Sequence, residues 1–314
     1  MSTVLVTGGA GFIGSHLADR LLAEGHRVIS VDDLSTGRIA NLVDARGYGK
    51  EFTFFNMDVR ADGLLPLFER HRPEVVFHLA AQSGVRPSLD DPALDASINV
   101  MGTLNVLACA AKVETRKVVY AASGGTIYGE PRRLPAKETA AQGSHPLSPY
   151  GISKKVVLDY LGFYQRYRGL EHTALALGNV YGPRQDPHGE AGVVAIFASR
   201  MLVGEPVTIF GDGNQTRDYV FIDDVVHAFV QAVDRGPGKL VNVGTGLETS
   251  VSHLYRLLAD IVGYELEPEF GPLPPGELRR IALDIGSAGN AIAWKPWTHL
   301  EDGLAETVAY LKGV

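Results

Sequence analysis

Short apolar runs alternate with amphipathic stretches through the first half of the chain. Residues 3–7, 27–32, 52–55, 74–79, 117–122 and 172–177 are rich in Val, Ile, Phe and Leu, and each is short enough to be a strand. Between them lie helix-like segments such as residues 15–24 and 98–111. The strand runs are nearly continuous in apolar character rather than alternating, which is the pattern of strands buried on both faces by helices. Strand–helix alternation of this kind predicts an α/β fold with a doubly wound parallel sheet and right-handed crossovers. The rhythm changes after residue 178. Residues 182–183 and 185–192 predict a loop, and strands near 207–210 and 240–243 are separated by turns rich in Gly, Pro and Asp. The proline-rich stretch 270–276 excludes regular helix or a central strand. We therefore expect two domains, 1–178 and 179–314. A segment near 215–235 is expected to return to the first, and the second to close over the C-terminal ends of the strands, where such sheets bind ligands.

The junction of the first strand and first helix carries Gly8-Gly9-Ala10-Gly11-Phe12-Ile13-Gly14. Gly8 permits a tight turn, Gly11 lets backbone approach a pyrophosphate, and Gly14 allows close helix packing, with N–H groups at the helix start facing the anion. Asp32 ends the second strand, 18 residues after Gly14. A carboxylate there accepts hydrogen bonds from both adenosine ribose hydroxyls and repels a 2′-phosphate, which predicts NAD rather than NADP. Arg38 is the nearby cation that would oppose that reading.

Tyr150 and Lys154 stand four apart, on one face of a helix that Pro149 is suited to open. A phenol with an ordinary pKa near 10 is about one part in a thousand ionised at pH 7, so a tyrosine base needs nearby positive charge. A lysine ammonium one turn away supplies it. Residues 121–129, Ala-Ala-Ser-Gly-Gly-Thr-Ile-Tyr-Gly, follow the fifth strand and offer the hydroxyls of Ser123 and Thr126 among residues small enough to admit a ring.

Composition narrows the field. The 314 residues hold 29 Lys and Arg against 36 Asp and Glu, a net charge of −7, which argues against nucleic acid or a polybasic membrane dock as partner. One cysteine excludes an intrachain disulfide and a cysteine zinc site, and fits a reducing cytoplasmic setting. The ten histidines show no paired helical spacing, so no metal site is expected. We expect neither a signal peptide nor a membrane span.

The glycine turn, Asp32, Asn99, the Ser123–Thr126 loop and the Tyr150/Lys154 pair together resemble the extended short-chain dehydrogenase/reductases, specifically the nucleotide-sugar 4-epimerases. Residues 178–184 (Gly-Asn-Val-Tyr-Gly-Pro-Arg) and 211–220 (Gly-Asp-Gly-Asn-Gln-Thr-Arg-Asp-Tyr-Val) extend the likeness over almost the whole chain. The resemblance implies a Rossmann-like NAD domain, a smaller UDP-sugar domain and a homodimer paired through helices near 98–111 and 150–167. It implies that Tyr150 takes the proton of the sugar 4-hydroxyl, that Lys154 holds the nicotinamide ribose, and that Thr126, or else Ser123, bonds the same oxygen. The transient 4-keto sugar then turns and is reduced on its other face. Phe12 and Ile13 complete the cofactor turn. Asp33, Ser35, Thr36 and Gly37 would line the adenosine, with Asp58 and Val59 at the adenine. Leu79, Ala80, Ala81 and Asn99 would line the inner half. Val85, Arg86, Asn179, Val193 and Val194 would hold the nucleotide sugar together with Thr208, Phe210 and Arg217.

Two positions depart from the family pattern. Gly124 stands where a hydroxyl residue is common, and Pro274 stands where an arginine is, which leaves Arg279 or Arg280 to meet the diphosphate. Related dehydratases and decarboxylases carry a carboxylate in the loop after the fifth strand, where this chain has Gly124 and Gly125. Epimerisation of UDP-glucose and UDP-galactose is therefore expected. UDP-glucuronate is the rival substrate, met by Arg86 or Arg184, and N-acetylated sugars stay open. A non-catalytic NAD-binding protein is the reading of a different class.

Overall fold

A computed structural model describes residues 2–187, 192–273 and 277–313. The loop expected at 185–192 and the Pro274 position thus fall partly outside the described residues. Seven parallel strands form the main sheet: β1 (Thr3–Thr7), β2 (Arg27–Asp32), β3 (Phe52–Asn56), β4 (Val75–His78), β5 (Lys117–Ser123), β6 (Glu171–Leu177) and the strand Lys239–Val243. Their spatial order is β3-β2-β1-β4-β5-β6 followed by Lys239–Val243. Order reverses between β1 and β4, which opens a crevice at the C-terminal ends of those strands.

Alternate side chains feed two cores, one on each face. Val4 and Val6 of β1 pack with Leu17, Ala18 and Leu21 of the helix Phe12–Ala23. Leu5 faces the other way, into a cluster with Phe68, Val106, Leu107 and Val157. Both faces are covered, which is why the strands carry so few polar residues.

The strand Lys239–Val243, expected in the second domain, instead extends the main sheet. It pairs in parallel with β6, Lys239 opposite Thr173 through Val243 opposite Leu177. The chain reaches it through the helix Ile222–Gln231, so the return to the first domain runs on past residue 235. The remaining strands form small pairs: Asn179–Tyr181 with Tyr219–Phe221, Thr208–Phe210 with Glu269–Gly271, and Thr216–Arg217 with Thr249–Ser250. Phe270, in the proline-rich stretch, lies in one of these edge pairs.

The helix expected at 98–111 starts earlier. It runs from Pro92 to Lys112 and widens into a π-helical turn at Ser97–Met101. Asp91 caps it, accepting from the Leu94 N–H at 2.9 Å. By length and composition this is the one helix among the described residues apolar enough to cross a membrane, but 44% of its apolar window is buried. Val106, Leu107, Cys109 and Ala110 place that face in the second core.

Candidate active site

The glycine turn is built as its spacing implies, with one change of partner. Gly8 has φ +69°, and a Cβ there would lie 2.7 Å from the Ala80 nitrogen. A Cβ on Gly14 would lie 2.1 Å from the Gly8 carbonyl oxygen. Gly14 therefore lets the helix close on the turn itself. The glycine pressed against the sheet is Gly9, whose Cβ would meet Ser30 Oγ at 2.2 Å. Substituting side chains here would displace backbone.

Asp32 is buried, and its carboxylate accepts the Ala10 N–H at 2.9 Å and the Leu34 N–H at 2.8 Å. Burial raises its pKa, and these two donors pull against that. Gly37 lies so close that a Cβ would be 2.6 Å from Asp32 Oδ1. Asp33, Ser35 and Thr36 are exposed beside it, with Asp33 accepting both the N–H and the hydroxyl of Ser35. Asp58 is held by Arg60, and Val59 is buried against Gly102. Leu79, Ala80 and Ala81 are half-buried, Leu79 and Ala80 bonding through their N–H groups to Thr7 Oγ1 at 3.2 Å. Arg38 bonds Asp186 at 2.8 Å.

At the other end of the crevice the helix Pro149–Arg168 is capped by Ser148 Oγ, which accepts the Gly151 N–H at 3.2 Å. Pro149 occupies its first turn, as expected. Tyr150 and Lys154 project from one face, the Lys154 ammonium 5.9 Å from the Tyr150 ring and 4.9 Å from that of Tyr120. Lys154 donates to the Ala121 carbonyl at 3.0 Å and is 3% exposed. Burial lowers its pKa to about 8, and the charge of Asp95 opposes this. Burial pushes the Tyr150 phenol up to about 12, the Ser123 hydroxyl pulls it down, and Asp95 raises it further.

Thr126 Oγ1 is buried and has no partner among the described residues. Gly124 is tightly packed: a Cβ would lie 2.6 Å from Leu283 Cδ1 and 3.0 Å from the Leu177 carbonyl. Gly125, by contrast, faces Asn179, whose Oδ1 would be 3.7 Å from its Cβ. Among the described residues, no group of three His, Cys, Asp or Glu could hold a metal.

Sequence patterns did not reveal a buried polar cluster behind the crevice. Asn99 donates to the Gln82 carbonyl and to Asp95, both at 2.9 Å, and accepts the Gln82 N–H at 2.9 Å. Next to it, His78 lies between two threonines: Thr7 Oγ1 at 2.7 Å from Nδ1 and Thr103 Oγ1 at 2.8 Å from Nε2. Thr103 donates to the Asn99 carbonyl, so Nε2 carries the proton and Nδ1 accepts. Burial, with the Lys154 charge second, holds His78 neutral, its pKa down to about 3. Asp218 is a further missed residue: it accepts from the Thr245 N–H and hydroxyl, the Gly246 N–H and the Leu283 N–H, joining chain segments 27 to 65 residues apart.

The residues expected around the nucleotide sugar fall into three groups. Phe210 is exposed with the Arg86 guanidinium 5.3 Å over its ring, Thr208 lies two residues away on the same strand, and Val85 is half-buried beside Arg86. Val193 is half-buried at the start of the helix Val193–Leu202, while the Val194 side chain belongs to the core. The arginines are each engaged. Arg217 bonds the Thr216 and Leu278 carbonyls at 2.8 Å and pairs with Glu277. Arg279 pairs with Asp212 at 3.4 Å, and Arg280 with Glu248 at 2.6 Å. Arg184, in the left-handed region at φ +66°, bonds Asp19 and Asp44 at 2.6 Å each. Its guanidinium thus already meets two acids of this chain, where the sequence left it open to a substrate carboxylate or phosphate.

The tight glycine turn and a carboxylate at the end of β2 fit a dinucleotide, and the orphaned Thr126 hydroxyl fits a further oxygen near Tyr150. The chain belongs to the NAD dependent epimerase/dehydratase family, whose pattern it matches over residues 4–244. It is 48% identical to the UDP-glucose 4-epimerase of Mycolicibacterium smegmatis over 98% of each chain. Among solved structures it is similar to the UDP-glucose 4-epimerase of Thermotoga maritima with UDP-glucose, 46% identical, TM-score 0.95, covering 99% of each chain. It is also similar to the Thermus thermophilus UDP-glucose 4-epimerase in complex with NAD, 41% identical, TM-score 0.92, again over 99% of each. NAD is accordingly the cofactor of this chain's family.

Proposed function

We propose that the protein interconverts UDP-glucose and UDP-galactose by inverting C4 of the sugar. The observation that carries this reading is the convergence of Tyr150, Lys154, Ser123 and Thr126 at the end of β5, with glycines at 124 and 125. The likeness to the three 4-epimerases supports it.

The residues divide the work by charge and reach. NAD, when bound, supplies the reversible hydrogen acceptor for C4 and a cationic ring near the phenol. Asp32 would hold its adenosine ribose, and Lys154 its nicotinamide ribose. Tyr150 takes the 4-hydroxyl proton in one direction and returns it in the other. The Lys154 ammonium, donating to the Ala121 carbonyl and lying 5.9 Å from the Tyr150 ring, favours the phenolate. Ser123 faces the phenol, and Thr126, packed beside Gly151, would bond the sugar oxygen. Dehydration would also require a group moving a proton between C5 and C6. Gly124 and Gly125 provide none, so the chemistry stays at C4.

The engagement of Arg184 by Asp19 and Asp44 favours a hexose over a uronate, leaving Arg86 as the remaining arginine of the two considered. Thr126 is preferred to Ser123 as the partner of the sugar oxygen, because its hydroxyl is the one left without a bond. The protein would act in the cytoplasm as a homodimer, joined through the helices Pro92–Lys112 and Pro149–Arg168, whose Met101, Ile152 and Phe163 are exposed. Incubation with UDP-glucose, UDP-galactose, UDP-glucuronate and UDP-N-acetylglucosamine, followed by chromatographic separation of C4 epimers, tests the substrate. Fastest conversion of the first two supports the reading, and preference for the uronate would replace it.

A further inference from the structure

Asp95 is 1% exposed, and no Lys or Arg among the described residues pairs with it. A carboxylate in that position needs strong hydrogen bonds or a nearby counter-charge to stay ionised. It has three donors. Oδ1 accepts from Gln82 Nε2 at 3.0 Å and from Asn99 Nδ2 at 2.9 Å, and Oδ2 accepts from Ser153 Oγ at 2.6 Å. Ser153 is the residue before Lys154. Asp95 therefore joins three elements at the reacting end: the segment after β4, the π-turned helix, and the helix that carries Tyr150 and Lys154.

We propose that Asp95 is a positioning residue for the reaction, its buried negative charge acting as the counter-charge that keeps the Lys154 ammonium charged beside Tyr150 while Ser153 fixes that helix against it. This deepens the function proposed above and rests on its assignment of Tyr150 and Lys154. Lys154 has one hydrogen-bond acceptor among the described residues, the Ala121 carbonyl, and is almost fully buried. The titratable groups that face it are Tyr120 on β5, His78 on β4, Tyr150 on its own helix and Asp95 on the neighbouring one. His78 is neutral, and burial pushes Tyr120 well above its ordinary range. Asp95 is the one carboxyl group among them, and its oxygens accept two amide N–H bonds and a hydroxyl. The same charge disfavours ionisation of Tyr150 and of Tyr120. One carboxylate accordingly holds two protons in place, on the lysine and on the phenol, and sets the pH range in which one is kept and the other moves.

Asp95→Asn removes the charge and keeps the shape. The amide oxygen still accepts from Gln82 and Asn99, and the Ser153 hydroxyl turns to accept from the amide nitrogen. Two readouts apply to the protein as purified: the pH profile of turnover, and the pH titration of tyrosinate absorbance taken as the difference from Tyr150→Phe. Both limbs of the profile, and the Tyr150 titration, should move to lower pH by about 1 unit. Asp95→Ser, smaller and also neutral, should give the same displacement if Asn perturbs folding. Ser153→Ala keeps the charge and should leave the limbs and the titration in place while lowering turnover. Profiles of Asp95→Asn or Asp95→Ser that superimpose on the parent overturn the proposal, whatever their height. So does a Ser153→Ala profile displaced as far as theirs. If the parent converts no UDP-sugar yet the titration moves, the proposed function fails and the role of Asp95 in holding the phenol's proton stands.

Discussion

The two ends of the crevice are finished to different degrees. At the adenosine end the charged groups are held by partners, although Ser30 Oγ and Asp19 Oδ1 are buried without a bond among the described residues. Asp32 takes two backbone N–H groups, Arg38 meets Asp186, and Arg184 bridges Asp19 and Asp44. At the reacting end polar groups remain under-bonded. Thr126 Oγ1 and the Tyr120 hydroxyl are buried without a partner among the described residues, and Lys154 has a single carbonyl for three donor hydrogens. A buried polar atom left unpaired is costly. The contrast lies in the charged groups: Arg38 and Arg184 each meet an acid at the adenosine end, whereas Lys154 and Asp95 are held by neutral partners at the reacting end.

That contrast can be broken by substitution. Tyr150→Phe should have the largest effect on rate. Loss of a proton-transfer group lowers turnover by roughly 10²- to 10⁴-fold, while the melting temperature and NAD content stay near those of the parent. Unchanged turnover would end the catalytic reading. Thr126→Val should lower turnover by about tenfold or more without loss of stability, because the hydroxyl it removes has no partner among the described residues. A fall in melting temperature with full activity would show that Thr126 belongs to the scaffold, and would pass its role to Ser123. Arg184→Ala should behave in the opposite sense. It leaves the half-buried Asp19 without its cation and costs about 1–3 kcal/mol of stability in denaturant unfolding, with only a small change in turnover.

Local chemistry was legible in the sequence, and long-range pairing was not. The glycine turn and Asp32 are readable because their spacing is set by one strand–turn–helix unit. Tyr150 and Lys154 are readable because four residues make one helical turn. The acidic partners of Arg184 were not legible, because they lie 165 and 140 residues away and no local pattern points to them. No local pattern singles out Asp95. Its burial follows from the packing of that helix on Pro149–Arg168, with Ser153 58 residues distant. The strand Lys239–Val243 looked like part of an irregular second half because Gly236, Pro237 and Gly238 precede it. Its place at the sheet edge comes from pairing with β6, which is a tertiary fact.

The central claim is that hydrogen is lifted from C4 and given back to the same carbon from the other face, within one active site. UDP-glucose bearing deuterium at C4 tests it most directly, incubated in ordinary water without added nicotinamide, with the product's C4 position read by NMR. The account predicts UDP-galactose that has kept its deuterium. UDP-galactose formed with C4 deuterium lost to solvent would contradict it.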